Sequence, residues 1–319
     1  MAGWAASDIP DQSGRTALVT GASSGLGLRS AEALSAHGAL VLLGCRNPDR
    51  AEAARAGVAA VATGPEPLVV PMDLADLASV RAAAERLAAD VERIDLLLNN
   101  AGVMAPPLSR TADGFEMQFG TNHLGHFALT GLLLPTLLAA PEPRVVTTAS
   151  NVHRQGKIRW DDPNWETGTY SRWAGYGQSK LANLLFAAEL GRRAAAAGTA
   201  LVSAAGHPGY AATNLGSSTT TGLGNPIVSG LARAAISIGN HTLAQSDAAG
   251  ALPLLYAATA PGVASGDYYG PRLLGMRGAP VRAGVSAAAA DLGSAQLLWD
   301  MSEKLTGVTY AWPGGTAEG

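Results

Sequence analysis

The sequence holds one cysteine, Cys45, in 319 residues. That excludes an internal disulfide and any metal site built from several thiolates. An excess of positive charge is also missing: 22 Lys and Arg stand against 25 Asp and Glu, for a net charge of −3. A chain-wide electrostatic footprint for nucleic acid is therefore not expected. No apolar run is long enough for a membrane span. The most lipid-like stretch, FALTGLLLPTLLAA from Phe127 to Ala140, falls short of the roughly 18 residues a spanning helix needs. It also contains Pro135 and lies between His126 and Pro141, so it reads as a buried helix and its exit. The N-terminal MAGWAASDIPDQSGR has neither a basic start nor an apolar segment, so no secretory signal is visible. The expectation is a cytoplasmic chain with no membrane or nucleic-acid partner.

What is present is apolar: 47% hydrophobic residues and 15% charged ones. That supports a large buried core and argues against disorder. At about 150 residues per domain the length suggests two domains, but single α/β domains also run this long. Short apolar runs alternate with alanine-rich helical stretches. The runs are 16–20, 39–45, 68–71, 94–98, 144–149 and 201–205, and the helical stretches are 26–37, 49–60, 77–91, 114–138 and 177–197. Such alternation means βαβ units and a parallel sheet. The runs are apolar throughout, as expected for strands covered on both faces. The prediction is one doubly wound α/β domain over 14–319, with about seven parallel strands behind a short extension over 1–13. A further helix is expected near 286–305. Two irregular segments break the rhythm: 151–174, with Trp160, Trp165 and Trp173, and 217–240, read as a lid. Long irregular loops in compact domains are usually functional.

The first run leads into Thr20-Gly21-Ala22-Ser23-Ser24-Gly25-Leu26-Gly27, which ends a strand and opens a helix. Glycines there let the backbone turn tightly and approach a pyrophosphate. The helix start offers free N–H groups and the positive end of its dipole. A plain glycine turn is the alternative. The second run ends Gly44-Cys45-Arg46, where a sheet that binds NAD usually places an acid for the ribose 2′-hydroxyl. An arginine without that carboxylate fits a 2′-phosphate, hence NADP(H), with NAD(H) as the alternative if Arg46 is only a surface charge. The third run leads into Asp73-Leu74 and the fourth into Asn99-Asn100-Ala101-Gly102. Both lie at strand C-termini, where such a sheet binds its ligand.

Tyr176-Gly-Gln-Ser-Lys180 opens the later long helix and puts Tyr176 and Lys180 on one face. A nearby ammonium favours the phenolate, so Lys180 is expected to lower the tyrosine pKa. A phenol so tuned can exchange a proton with a carbonyl or alcohol oxygen. Ser150, at the end of the fifth run, can donate a hydrogen bond to the same oxygen.

The glycine spacing Thr-Gly-x-x-x-Gly-x-Gly, the Asn-Asn-Ala-Gly run and the order of Ser150, Tyr176 and Lys180 resemble the short-chain dehydrogenase/reductase family. The resemblance covers roughly 14–270 and implies a Rossmann-type sheet and reversible hydride transfer between a carbonyl and an alcohol. It implies that Gly21, Ser23, Ser24, Gly25, Leu26 and Gly27 hold the pyrophosphate. Asp73 and Leu74 would meet the adenine, and Asn100, Ala101 and Gly102 the adenosine side. Asn122 would support a water relay that feeds Lys180, and Tyr176 and Lys180 would also touch the nicotinamide ribose. Pro208, Gly209, Thr213 and Asn214 would lie at the nicotinamide end. A homodimer or homotetramer is common in the family.

Ser150 and Tyr176 lie 26 residues apart, about twice the separation in many members. That spacing, Gly-Cys-Arg and Asn-His-Leu-Gly-His-Phe look like the retinol dehydrogenase-like branch, which implies an apolar small-molecule substrate. The tryptophans of 151–174 either line the pocket or merely pack. His123 and His126 lack a third ligand at a sensible spacing, so they read as structural and no metal is expected. His153 could line the pocket. Two rivals stay open: an enzyme of another class on the same sheet, such as a sugar-nucleotide epimerase, and a non-catalytic NADP-binding regulator.

Overall fold

The computed structural model describes residues 3–209 and 246–313. Eight strands form one sheet in the order β3-β2-β1-β4-β5-β6-β7-β8. The first six are β1 (Thr16–Thr20), β2 (Leu40–Cys45), β3 (Leu68–Pro71), β4 (Leu96–Asn99), β5 (Arg144–Thr148) and β6 (Val202–Gly206). They pair in parallel, with Val19 opposite both Leu43 and Leu98. β7 (Tyr268–Leu273) continues the parallel set beside β6, so the described residues hold seven parallel strands. β8 (Arg277–Arg282) adds an antiparallel edge that the sequence reading did not include. Its sequence, RGAPVR, is mostly exposed and has no apolar run, only Val281 being a strong β-former.

The helices are α1 (Gly25–Ser35), α2 (Pro48–Ala59), α3 (Leu77–Asp90), α4 (Met117–Phe119), α5 (Gly125–Leu132), α6 (Leu134–Leu138), α7 (Arg172–Ala196), α8 (Asp247–Thr259) and α9 (Leu292–Thr306). Asn47 caps α2 with Pro48 in its first turn, and Asp76 caps α3. The helical stretch expected over 114–138 is broken in two places. A π-turn, Gly120–Leu124, separates α4 from α5, and Leu133 separates α5 from α6. Its apolar part is buried as expected, and among the described residues no helix is long and apolar enough to cross a membrane.

Side chains alternate along each strand. Leu18, Leu42, Leu97 and Val145 face the layer of α3, α5 and α7, with α9 packed outside it. Ala17, Val19, Val41, Leu43, Leu98 and Val146 face α1, α2 and α8. The C-terminal helix is seated by aromatic contacts: Trp299 meets Phe127 edge-on at 5.1 Å and Tyr310 at 4.4 Å. Ahead of β1, Trp4 packs edge-on against Tyr256 of α8 at 5.2 Å. The expected lid over 217–240, with Thr213 and Asn214, lies outside the described residues.

The chain order reverses between β1 and β4. The helices that follow these two strands diverge to opposite faces of the sheet. A crevice therefore opens at their C-terminal ends, where an open α/β sheet takes its ligand.

Candidate active site

A cleft of about 440 Å³ occupies that crevice. Gly21, Ser23, Ser24, Gly25 and Leu26 form one wall, Arg46 and Asp73 with Leu74 the far end, and Asn100, Ala101 and Gly102 the floor. α1 starts at this wall with no side chain capping it, so its first N–H groups remain available to an anion. Gly27 does not line the cleft. A Cβ there would stand 2.6 Å from Asn100 Nδ2, so glycine is needed for α1 to seat on the sheet. Asn100 is fixed in turn by donating from Nδ2 to Thr20 O at 2.8 Å.

At the far end Arg46 is largely exposed, and its guanidinium lies 3.7 Å from the Asp73 carboxylate. Cys45 occupies the place of the usual acid, and burial pushes its thiol up, which keeps it neutral. Asn47 and Arg50 also line this end. The sequence reading missed both. Asn47 accepts from Arg50 N as the cap of α2, which brings Arg50 one turn along to the same rim as Arg46. An Asn-Pro helix start directly after a strand was the available signal.

The second cluster stands beside the cleft. Ser150 follows β5 and accepts from Val152 N at 3.3 Å, opening a short 3₁₀ turn over Asn151–Gln155. α7 runs past this turn, and it begins a turn earlier than read, at Arg172 with Ser171 as cap. Gly156 and Gly177 make the close passage possible: a Cβ on Gly177 would lie 3.2 Å from Gly156 Cα. Tyr176 is thereby brought beside Ser150, whose hydroxyl pulls the phenol's pKa down. Tyr176 keeps part of its surface open.

Lys180 is buried, donates to Thr148 O at 3.0 Å and stands 5.6 Å from the Tyr176 ring centroid. The expected lowering of the tyrosine by the lysine is not found. Burial pushes Tyr176 up to about 12, against a smaller downward pull from Ser150. Burial also brings Lys180 down to about 8. Desolvation outweighs the ion–phenol attraction because both charged forms lose water at the same place. Asn122 lies in the π-turn. Its Oδ1 accepts from Val103 N at 2.8 Å, and its Nδ2 donates to Val103 O at 3.0 Å and Ser179 Oγ at 2.9 Å. Gly102 joins the two clusters, since a Cβ there would lie 2.9 Å from Asn122 Oδ1 and 3.7 Å from Lys180 Nζ.

Pro208 and Gly209 follow β6 but are not among the residues lining the cleft. Gly209 donates to His207 Nδ1 at 3.2 Å and packs on Met276 of the β7–β8 turn. His153 does not line the cleft either. It is buried, with Nδ1 at 2.6 Å from Ser150 O and Nε2 accepting from Ser286 N at 3.2 Å, so it braces the Ser150 backbone. The tryptophans divide. Trp165 packs under the Arg159 guanidinium at 4.3 Å and edge-on to Tyr170, whereas Trp173 is 52% exposed and edge-on to Tyr176 at 6.1 Å. His123 meets Ser302 Oγ, and no metal-binding cluster exists among the described residues.

A sequence model described as short chain dehydrogenase matches residues 15–224. The chain belongs to the short-chain dehydrogenase family. Within it the chain is retinol dehydrogenase-like. It is 38% identical to mouse retinol dehydrogenase 14 over 311 residues, which cover 92% of this chain and 86% of that protein. It is 44% identical to human retinol dehydrogenase 13 over 203 residues, but that match spans only 64% of this chain and 61% of the relative. Among solved structures, an uncharacterised protein from Mycobacterium paratuberculosis is 41% identical with a TM-score of 0.79, covering 97% of this chain and all of that one (100%). L-sorbose reductase from Gluconobacter frateurii, solved with NADPH and L-sorbose, has a TM-score of 0.66 at 21% identity over 82% of this chain and 95% of its own. At that identity it shows the shared fold alone.

Proposed function

We propose that this short-chain dehydrogenase is an NADP(H)-dependent oxidoreductase acting on an apolar aldehyde, ketone or alcohol, with Ser150, Tyr176, Lys180 and Asn122 as its working residues. The observation that carries the reading is Tyr176 beside Ser150 and buried Lys180, joined through Gly102 to a cleft of about 440 Å³. The cleft suits the nucleotide on its own chemistry. α1 presents an uncapped N-terminus to a pyrophosphate, and Arg46 with Arg50 stands where an acid would otherwise refuse a 2′-phosphate.

The nicotinamide, when bound, supplies or accepts the hydride. In the reducing direction, Tyr176 holds its proton across the neutral range and donates it to the carbonyl oxygen as negative charge develops there. Ser150 donates a hydrogen bond to the same oxygen and so stabilises that charge. Lys180, fixed by Thr148 O, places its ammonium against the phenol ring to favour the phenolate left behind. Asn122 holds the Val103 segment against Ser179 of the helix that carries Tyr176 and Lys180, which keeps cleft and proton donor in register.

Cofactor preference is tested by following intrinsic fluorescence during titration with NADPH and with NADH. Tighter NADPH binding is expected, weakened in Arg46→Asp by about tenfold or more, the scale of one charge-assisted contact. Tighter NADH binding, or an unchanged NADPH affinity in Arg46→Asp, would overturn the 2′-phosphate reading.

A further inference from the structure

His126 is fully buried in α5 and touches neither the cleft nor the Ser150–Tyr176–Lys180 cluster. Its ring lies between two groups that belong to different parts of the site. Nδ1 is 3.0 Å from the main-chain oxygen of Asn122, and Nε2 is 2.8 Å from Thr20 Oγ1. Thr20 ends β1 at the mouth of the glycine loop. Its hydroxyl oxygen also accepts from Asn100 N at 2.9 Å and Ala101 N at 3.0 Å.

These partners determine the tautomer. A hydroxyl has two lone pairs and one proton. The two backbone N–H groups take both lone pairs of Thr20, so Thr20 cannot accept from an Nε2–H. It can only donate, and His126 Nε2 must be the bare nitrogen. The ring proton then sits on Nδ1 and is donated to Asn122 O. The other outlet for the Thr20 proton, Leu98 O at 3.2 Å, is longer. A second proton on the ring would face a hydroxyl with no free lone pair, inside a site that already holds Lys180 and, on the same helical run, His123.

We propose that His126 is a positioning residue: a fixed, neutral, Nδ1-protonated imidazole that ties the Thr20 end of the nucleotide cradle to the Asn122 carbonyl. The chain of hydrogen bonds runs from Asn100 and Ala101 on the cleft floor, through Thr20 and His126, to Asn122. From there the Asn122 side chain continues to Val103 and Ser179. Cradle and proton-donor helix are thereby set against each other through one ring. This rests on the nucleotide-binding reading for its functional consequence, but not for its geometry.

The test begins on the ligand-free protein. Side-chain ¹⁵N NMR of histidine-labelled protein, with His126 assigned through His126→Phe or through its response to Thr20 variants, reads the tautomer directly. Expected is a neutral Nδ1–H ring that does not titrate between pH 5.5 and 8. Its Nε2 resonance should move towards that of a free acceptor in Thr20→Val and stay in place in Thr20→Ser. An Nε2–H tautomer, or ordinary titration in that range, would overturn the proposal whatever the protein binds. The second arm is a double-mutant cycle on NADPH affinity and on kcat. Thr20→Val and His126→Phe should each weaken binding or turnover on the order of tenfold, the scale of one buried hydrogen bond, with the carbonyl KM little changed. The double variant should lose no more than the worse single one, and Thr20→Ser should restore wild-type values. Fully additive losses would reduce His126 to a packing residue. If the wild-type protein binds no nucleotide, the functional reading fails by itself, and the tautomer result still decides the hydrogen-bond chain.

Discussion

At Tyr176 two effects oppose each other. Burial raises the phenol to about 12, while the nearby Ser150 hydroxyl favours the phenolate. Because the folded site holds the proton more tightly than water does, the acid form is fully present at neutral pH. Carbonyl reduction therefore has its proton donor ready, while alcohol oxidation needs the scarce phenolate. The expected pH profile is a reduction rate nearly flat from pH 6 to 7 that declines towards pH 8 as Lys180 loses its proton, and an oxidation rate that climbs with pH from 6 to 7. Steady-state kinetics in both directions check this, and an oxidation optimum below neutrality would contradict it. Ser150 stood out in the sequence because it follows the end of a strand, and Tyr176 with Lys180 because four residues put them on one helix face. The direction of the tyrosine shift was not, because it depends on how much water the folded site removes. Arg50 escaped because the Asn-Pro helix start that signals the Asn47 cap does not by itself show that the first turn faces the rim Arg46 occupies.

Among the elements, β1 to β6 were readable because apolar runs covered on both faces have few alternatives. α8 was not. Its sequence, DAAGALPLLYAAT, carries Gly250 and Pro253, both poor helix formers, and tertiary packing on α1 and the sheet overrides them. β8 escaped because an edge strand needs no apolar pattern. The C-terminal helix was placed in sequence but not in space. Its seat is Trp299, buried among Phe127, Phe186 and Tyr310, with Arg193 over its ring at 4.5 Å. Trp299→Ala should cost about 3–5 kcal/mol, the range for removing a buried large aromatic. Denaturant unfolding measures this, and an unchanged midpoint would show that α9 is not held by this cluster.

Across the whole molecule, the candidate residues within the described part are spread from Gly21 to Gly209 in sequence but converge on the C-terminal edge of one parallel sheet. The topology requires this: every strand from β1 to β7 points the same way, so the loop after each one reaches the same end. The reversal of order between β1 and β4 opens the cleft there, and the passage of Gly156 against Gly177 brings the proton donor alongside. Motifs at strand ends therefore pointed to the residues that line this cleft without coordinates. They could not supply the hydrogen bonds through Thr20 and His126, which join residues about a hundred positions apart. The most direct measurement is NADPH consumption over a panel of apolar aldehydes and ketones by the wild-type protein and Tyr176→Phe, with NADPH affinity determined for both. Expected is turnover by the wild type and a loss of at least about 100-fold in the variant at nearly equal NADPH affinity, the effect of removing a general acid. Equal turnover by the two proteins would contradict Tyr176 as the proton donor, and with it the proposed mechanism.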